Sequence, residues 1–169
     1  MRFKRIHVAF VALTAFAATT CALAQFIPAD PEWKESAVAA PPAFDVNRLL
    51  YIESPFSSTL KFGVDPQTLF ITPEGVVRYV MVAQGQGGAQ NVFYEGIRCN
   101  TAEYRLYARH SPEKGWSTTS DSDWQPLKGS AATRHALLLA KAAICYGAAP
   151  TTPVSTIVRA LRSGVPPGM

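Results

Sequence analysis

The sequence predicts an α+β domain, an antiparallel β-meander of about five strands with two C-terminal helices packed on one face. Residues 76–83, 91–99 and 103–109 are rich in Val, Ile, Phe and Tyr and are separated by turn residues, which reads as three consecutive antiparallel strands. Residues 131–146 and 153–162 repeat their apolar positions at helical spacing. Strands first and helices last mark an α+β chain rather than an alternating one.

The chain opens with a targeting pattern. Arg2, Lys4 and Arg5 form a positive cluster, residues 8–18 are apolar but for Thr14, and Ala22-Leu23-Ala24 places small residues before Gln25. This is the pattern of a cleaved signal peptide over residues 1–24. The apolar run is short for a bilayer core of about 30 Å. The expected location is the periplasm, with a mature chain that starts at Gln25. Three of the sixteen basic residues leave with the segment, so thirteen face twelve acidic ones. That balance supplies no basic field for nucleic acid, and no later stretch is long and apolar enough to span a membrane.

Residues 25–58 contain Pro28, Pro31, Pro41, Pro42 and Pro55. Proline at this density prevents a regular helix or central strand, so residues 25–45 are expected as a mobile arm and 46–169 as the single domain. Trp33 and Phe44 are its potential anchor points. Residues 46–53 are apolar enough to dock as a short strand or helical turn. Residues 60–64 alternate and end at Asp65-Pro66, a turn initiator; 68–72 make a second short strand, and Pro73-Glu74-Gly75 turns the chain into Val76. The strand from Val76 is apolar on both faces, as a central strand covered on both sides is.

Residues 84–90, QGQGGAQ, connect it to the next strand. Three glycines invite comparison with a phosphate loop, but no GK[ST] and no helix follows. Beyond residue 109 comes a polar stretch with Trp116 and Trp124, containing a turn at 112–115. Asp121 and Asp123 lie there without the further oxygen ligands a calcium loop requires, and no metal or cofactor is implied. Ser130 is placed to N-cap a helix over 131–146 that stops at Gly147. Thr152 and Pro153 are placed to start a second, which stops at Gly164.

With Cys21 removed, Cys99 and Cys145 remain, an even pair in an oxidising compartment. Their disulfide pins the first helix to the strand of Cys99. By period two, Phe93, Glu95, Ile97 and Cys99 share the helix-covered face. A carboxylate there needs a partner, and Arg78 and Lys141 are the candidates for Glu95.

The segments PEGVVRYVMVA, GGAQNVFYEGIRC and TAEYRLYA, with Trp116, resemble the cryptic neisserial protein family of secreted bacterial proteins, from about Leu60 to Trp124. The likeness is looser over the two helices and absent from the Pro-rich arm. It implies a single periplasmic domain. The family is functionally uncharacterised, so no catalytic residues carry over.

Two function classes follow. The preferred one is a non-catalytic binding module for an envelope protein or another envelope component such as an anionic glycan, its oligomeric state left open. The alternative is a hydrolase acting on cell-envelope material, drawing on His110 beside Ser111, Glu95 with Arg78, and His135. No nucleophile, base and orienter form a recognisable set. The binding face is the one turned away from the disulfide. It carries Tyr94 and Arg98, then Arg105, Tyr107 and Arg109 if the Tyr104–Leu106–Ala108 row points inward, with Arg78 as a further member. Gly96 leaves a gap in its side-chain cover. Arg supplies bidentate donors and Tyr a flat contact, a surface suited to a carboxylate or an acidic loop. The site is placed near the 84–90 loop.

Overall fold

Three long strands carry the sheet, and shorter ones share its edges. In chain order the strands are β1 (Leu50–Ile52), β2 (Leu60–Val64), β3 (Phe70–Ile71), β4 (Val76–Gly85), β5 (Gln90–Arg98), β6 (Glu103–Ser111), β7 (Gly115–Thr118) and β8 (Gln125–Pro126). The computed structural model describes residues 32–53, 59–119, 122–128 and 130–168. The targeting segment, the start of the arm, Pro55 and Asp121 lie outside the described residues.

β4, β5 and β6 pair antiparallel in sequence order. β4 is longer than either partner on its outer edge, so that edge is divided. β2 covers residues 81–85 and β3 covers residues 77 and 78. Between them Asp65 caps a 3₁₀ turn, Pro66–Thr68. The outer edge of β6 is shared likewise by β7 and β8. β1 extends the sheet beyond β2. The α+β class holds, but the sheet has eight strands rather than about five. The additional strands are fragments of two to four residues, too short to show a period of their own.

Val76, Val77, Tyr79, Val80, Met81 and Val82 of β4 are all fully buried. Burial on that scale stabilises by roughly 1.5–3 kcal/mol per large side chain, and both faces of β4 contribute. One face belongs to the main core, with Val77, Tyr79, Met81 and Ile97 against Leu139, Ile144 and Ile157. The other, with Val80, Val82, Val92, Tyr94 and Tyr107, is covered by Phe44, Val46, Leu49 and Trp116. Residues 46–52 therefore supply both of the forms their composition allows, a 3₁₀ turn at Val46–Arg48 and then β1.

The first helix departs from its expected course. It is α-helical only over α1 (Arg134–Leu139), continues as a π-helical turn over Ala140–Ile144, and ends before Cys145. Residues 130–133 form a turn in which the amides of Thr133 and Arg134 both donate to the carbonyl of Ser130. The wider π turn keeps Ala140, Ala143 and Ile144 all buried. Cys145 is extended, and two further strands, β9 (Cys145–Tyr146) and β10 (Ala149–Pro150), pair in a small hairpin. Gly147, with φ of 60°, is thus a hairpin-turn residue and not a helix stop. α2 (Val154–Ser163) buries Ile157, Ala160 and Leu161 and ends at Gly164, whose φ of 68° gives the left-handed cap. Pro153 stands at the N-cap, one position earlier in the helix than its spacing suggests. The Cys99–Cys145 disulfide is present, with Cα atoms 5.6 Å apart.

Candidate functional site

Glu95 and Asp65 are the fully buried carboxylates among the described residues, and of the two it is Glu95 that lies against α1. Neither Arg78 nor Lys141 is its partner. His135, in the first turn of α1, donates from Nε2 to Oε1 at 2.9 Å and lies 3.1 Å from Oε2. The Tyr104 hydroxyl donates to Oε1 at 3.1 Å. The Tyr79 hydroxyl is buried beside the same carboxylate and has no hydrogen bond of its own among the described residues. Lys141 is exposed, and Arg78 lies on the other side of the sheet.

Burial opposes a charged imidazole at His135, but the charge and hydrogen bond of Glu95 outweigh it and hold the His135 pKa above its ordinary value. Burial and the adjacent carboxylate raise both Tyr79 and Tyr104, so both stay protonated. The His135 ring stacks on Phe62 at 5.4 Å and on Phe93 at 6.2 Å between centroids. Beside this cluster opens a cavity of about 250 Å³, lined by Phe62, Phe93, Glu95, Tyr104, Arg109 and His135, with Leu60, Asn91 and alanines at its sides.

Arg109 reaches this cavity because of a bulge. Phe93 pairs with Arg109 and Tyr94 with Ala108, whereas Glu95 pairs with Leu106, so Tyr107 is an extra residue in β6. Its insertion reverses the alternation. Arg109 moves to the helix side, where its guanidinium lies 5.0 Å from the centre of the Phe93 ring. Ala108 moves to the opposite core. The inward row Tyr104–Leu106–Ala108 therefore ends at Leu106.

Arg78, Tyr94, Arg98, Arg105 and Tyr107 do share the face turned away from the helices, and the arm occupies it. Glu35 accepts from Arg78 Nη2 at 3.0 Å, from Arg105 Nη1 at 2.7 Å and from the Tyr107 hydroxyl. Arg78 also donates to the carbonyls of Ser36 and Ala37. Ser36 donates from its amide and hydroxyl to Glu74. Trp33 lies over the Arg98 guanidinium at 3.5 Å and meets Trp124 edge-on. Arg98 pairs with Glu103 at 3.2 Å. The residues expected as a mobile arm thus include, from Trp33 onward, the face's own bound carboxylate. The gap at Gly96 is filled by the Tyr107 ring, and a Cβ there would come within 2.8 Å of Tyr107 Cε2.

Burial opposes charge on Arg78, but its bonds to Tyr107 and Glu35 raise its pKa further. Tyr107 is raised by burial first and then by Glu35. The glycine loop does not adjoin this cluster, since Gly85 is seven residues along β4 from Arg78, about 23 Å at strand rise. His110 packs edge-on against Phe44 and Trp116. Ser111 Oγ accepts from the Lys114 amide at 3.1 Å, in a turn. The structure brings neither of them to the Glu95–His135 pair.

The pairing of Glu95 with His135 has a signal in the sequence. With Cys99 bonded to Cys145, four strand residues separate Glu95 from its anchor, about 13 Å. Ten residues separate His135 from the other anchor, about 15 Å at the rise of the helix expected there. A helix lying along the strand therefore brings the two side chains to the same level.

The family model of the CNP1-like family matches residues 28–162. The match takes in arm residues and most of α2, well beyond the 60–124 block that carries the sequence resemblance. Comparison with curated proteins and with solved structures found no match.

Proposed function

The chain belongs to the CNP1-like family, and we propose that it is an exported, non-catalytic binding module of the cell envelope that takes a ligand group in the cavity beside Glu95 and His135. What carries this reading is the make-up of that cavity. It joins an apolar, aromatic wall to a small number of polar groups held rigidly by burial, the usual composition of a small-ligand site. Its size suits one small group. On the opposite face, Arg78 and Arg105 are paired with Glu35 and Arg98 with Glu103, so those charges are already taken up by the chain's own carboxylates. Export is supported by the leader pattern and by the disulfide, which suits an oxidising compartment.

The test is two-dimensional NMR of the labelled protein against small-molecule fractions of envelope extract. Saturable shifts confined to Phe62, Phe93, Arg109 and His135, and abolished by Ala132→Trp, which fills the cavity from one of the alanines that line it, are the expected result. Shifts that map elsewhere, or no shifts with any fraction, refute the reading.

One observation favours catalysis instead. A histidine oriented by a buried carboxylate is the base half of a catalytic set, and the Nδ1 atom of His135 makes no hydrogen bond among the described residues. Of the described residues lining the cavity, none is a Ser, Thr or Cys nucleophile, so this reading requires attack by water. Turnover of envelope-derived esters or amides that His135→Gln abolishes decides for it.

A further inference from the structure

We infer that the ligand group taken by this cavity is a small organic anion with a flat apolar body, its carboxylate paired with Arg109 and its body laid against Phe62 and Phe93. The inference rests on the cavity being the binding site. Its first ground is charge. Arg109 is exposed and has no carboxylate within ion-pair distance among the described residues, whereas Arg48, Arg78, Arg98 and Arg105 each have one. The negative charge of Glu95 is already held by two donors in the core, from His135 and Tyr104. An incoming carboxylate thus meets a guanidinium that no described carboxylate holds, the donor best shaped to receive it.

The second ground is shape. Phe62 and Phe93 are both half-buried, and both stack with the His135 ring. They offer apolar surface at the mouth without closing it. The volume of about 250 Å³ lies below the roughly 300–1,000 Å³ of drug-sized sites. It therefore fits one ring or a short branched chain. Aromatic walls also suit organic cations, but Arg109 on the cavity wall repels a cation.

Glu95 from β5 and Tyr104 and Arg109 from β6 face His135, and Tyr79 from β4 stands beside the Glu95 carboxylate. Both tyrosines stay neutral, so the local charge is set by Glu95, Arg109 and His135. It is positive while His135 is protonated and falls to zero as His135 loses its proton. Affinity for an anion should therefore decline as pH rises through the His135 titration.

Benzoate, benzamide and benzylamine, titrated into the purified protein and followed by NMR at cavity resonances, test the assignment. Benzoate is expected to bind saturably and about tenfold or more tighter than benzamide, the scale of a charge-assisted hydrogen bond. Arg109→Gln, a change at an exposed side chain, should erase that preference while leaving the melting temperature unchanged. Benzamide or benzylamine binding in the cavity as well as benzoate or better overturns the anion assignment and leaves the cavity reading intact. None of the three perturbing the cavity overturns both. Benzoate preference that survives Arg109→Gln overturns the role given to Arg109.

Discussion

Removing the carboxylate of Glu35 is expected to loosen the arm and destabilise the whole domain. The Glu35 side chain is 9% exposed and pairs with Arg78, whose side chain is 4% exposed. Breaking a buried ion pair from one side costs roughly 3–5 kcal/mol, because the remaining charge stays desolvated. Two features reduce this. Arg105 is 27% exposed and regains water, and Glu74 stands 3.9 Å from Arg78 as a residual counter-charge. The expected cost of Glu35→Ala is therefore about 3 kcal/mol, or a fall in Tm of roughly 10 °C for a domain of this size. Urea denaturation should show a lower midpoint at an unchanged slope, and limited proteolysis should cut the arm near Pro41 faster. Glu35→Gln keeps an acceptor for Tyr107 and should lose less. A loss below about 1 kcal/mol, within the range of an ordinary surface ion pair, with the arm still protected, refutes the reasoning and leaves Trp33 and Phe44 as the anchors.

Four further outcomes are expected. Gly96→Ala should cost about 1–3 kcal/mol by overpacking, since Tyr107 covers the site and is fastened by Glu35; a double-mutant cycle with Tyr107→Ala should recover part of the loss, and additive losses sink the explanation. His135 titrates above its ordinary value in the folded state. Its ion pair therefore contributes stability that is fully present below about pH 6.5 and lost as pH rises through the folded pKa; His135→Gln should flatten that slope in pH-dependent melts. Replacing Cys99 and Cys145 together by Ala should cost roughly 4 kcal/mol for a loop of 46 positions, checked by denaturation under non-reducing conditions. The mature protein is expected to begin at Gln25, and an intact mass that retains Met1 or carries lipid on Cys21 counts against the proposed cleavage and release.

Local pattern made much of this chain legible. The three long strands follow from β-branched and aromatic runs, because alternation and propensity are properties of neighbouring residues. The disulfide followed from parity alone once Cys21 was assigned to the expected leader. α2 and its glycine stop were legible for the same local reason. The resemblance through GVVRY and YEGIRC pointed to the family that the chain-wide match establishes.

Tertiary structure decided what depends on contacts far apart in sequence. Glu95 finds His135 forty residues away, and Glu35 reaches Tyr107 across seventy-two. The same arrangement turned an apparent open binding face into the seat of the chain's own arm. One inserted residue, Tyr107, sent Arg109 through the sheet to the other side, because a period of two carries no memory across a bulge. Where the edge strands pair and where α1 yields to a π turn were likewise settled by packing. Short segments gain too little locally to choose a conformation, so burial against the long strands chooses for them.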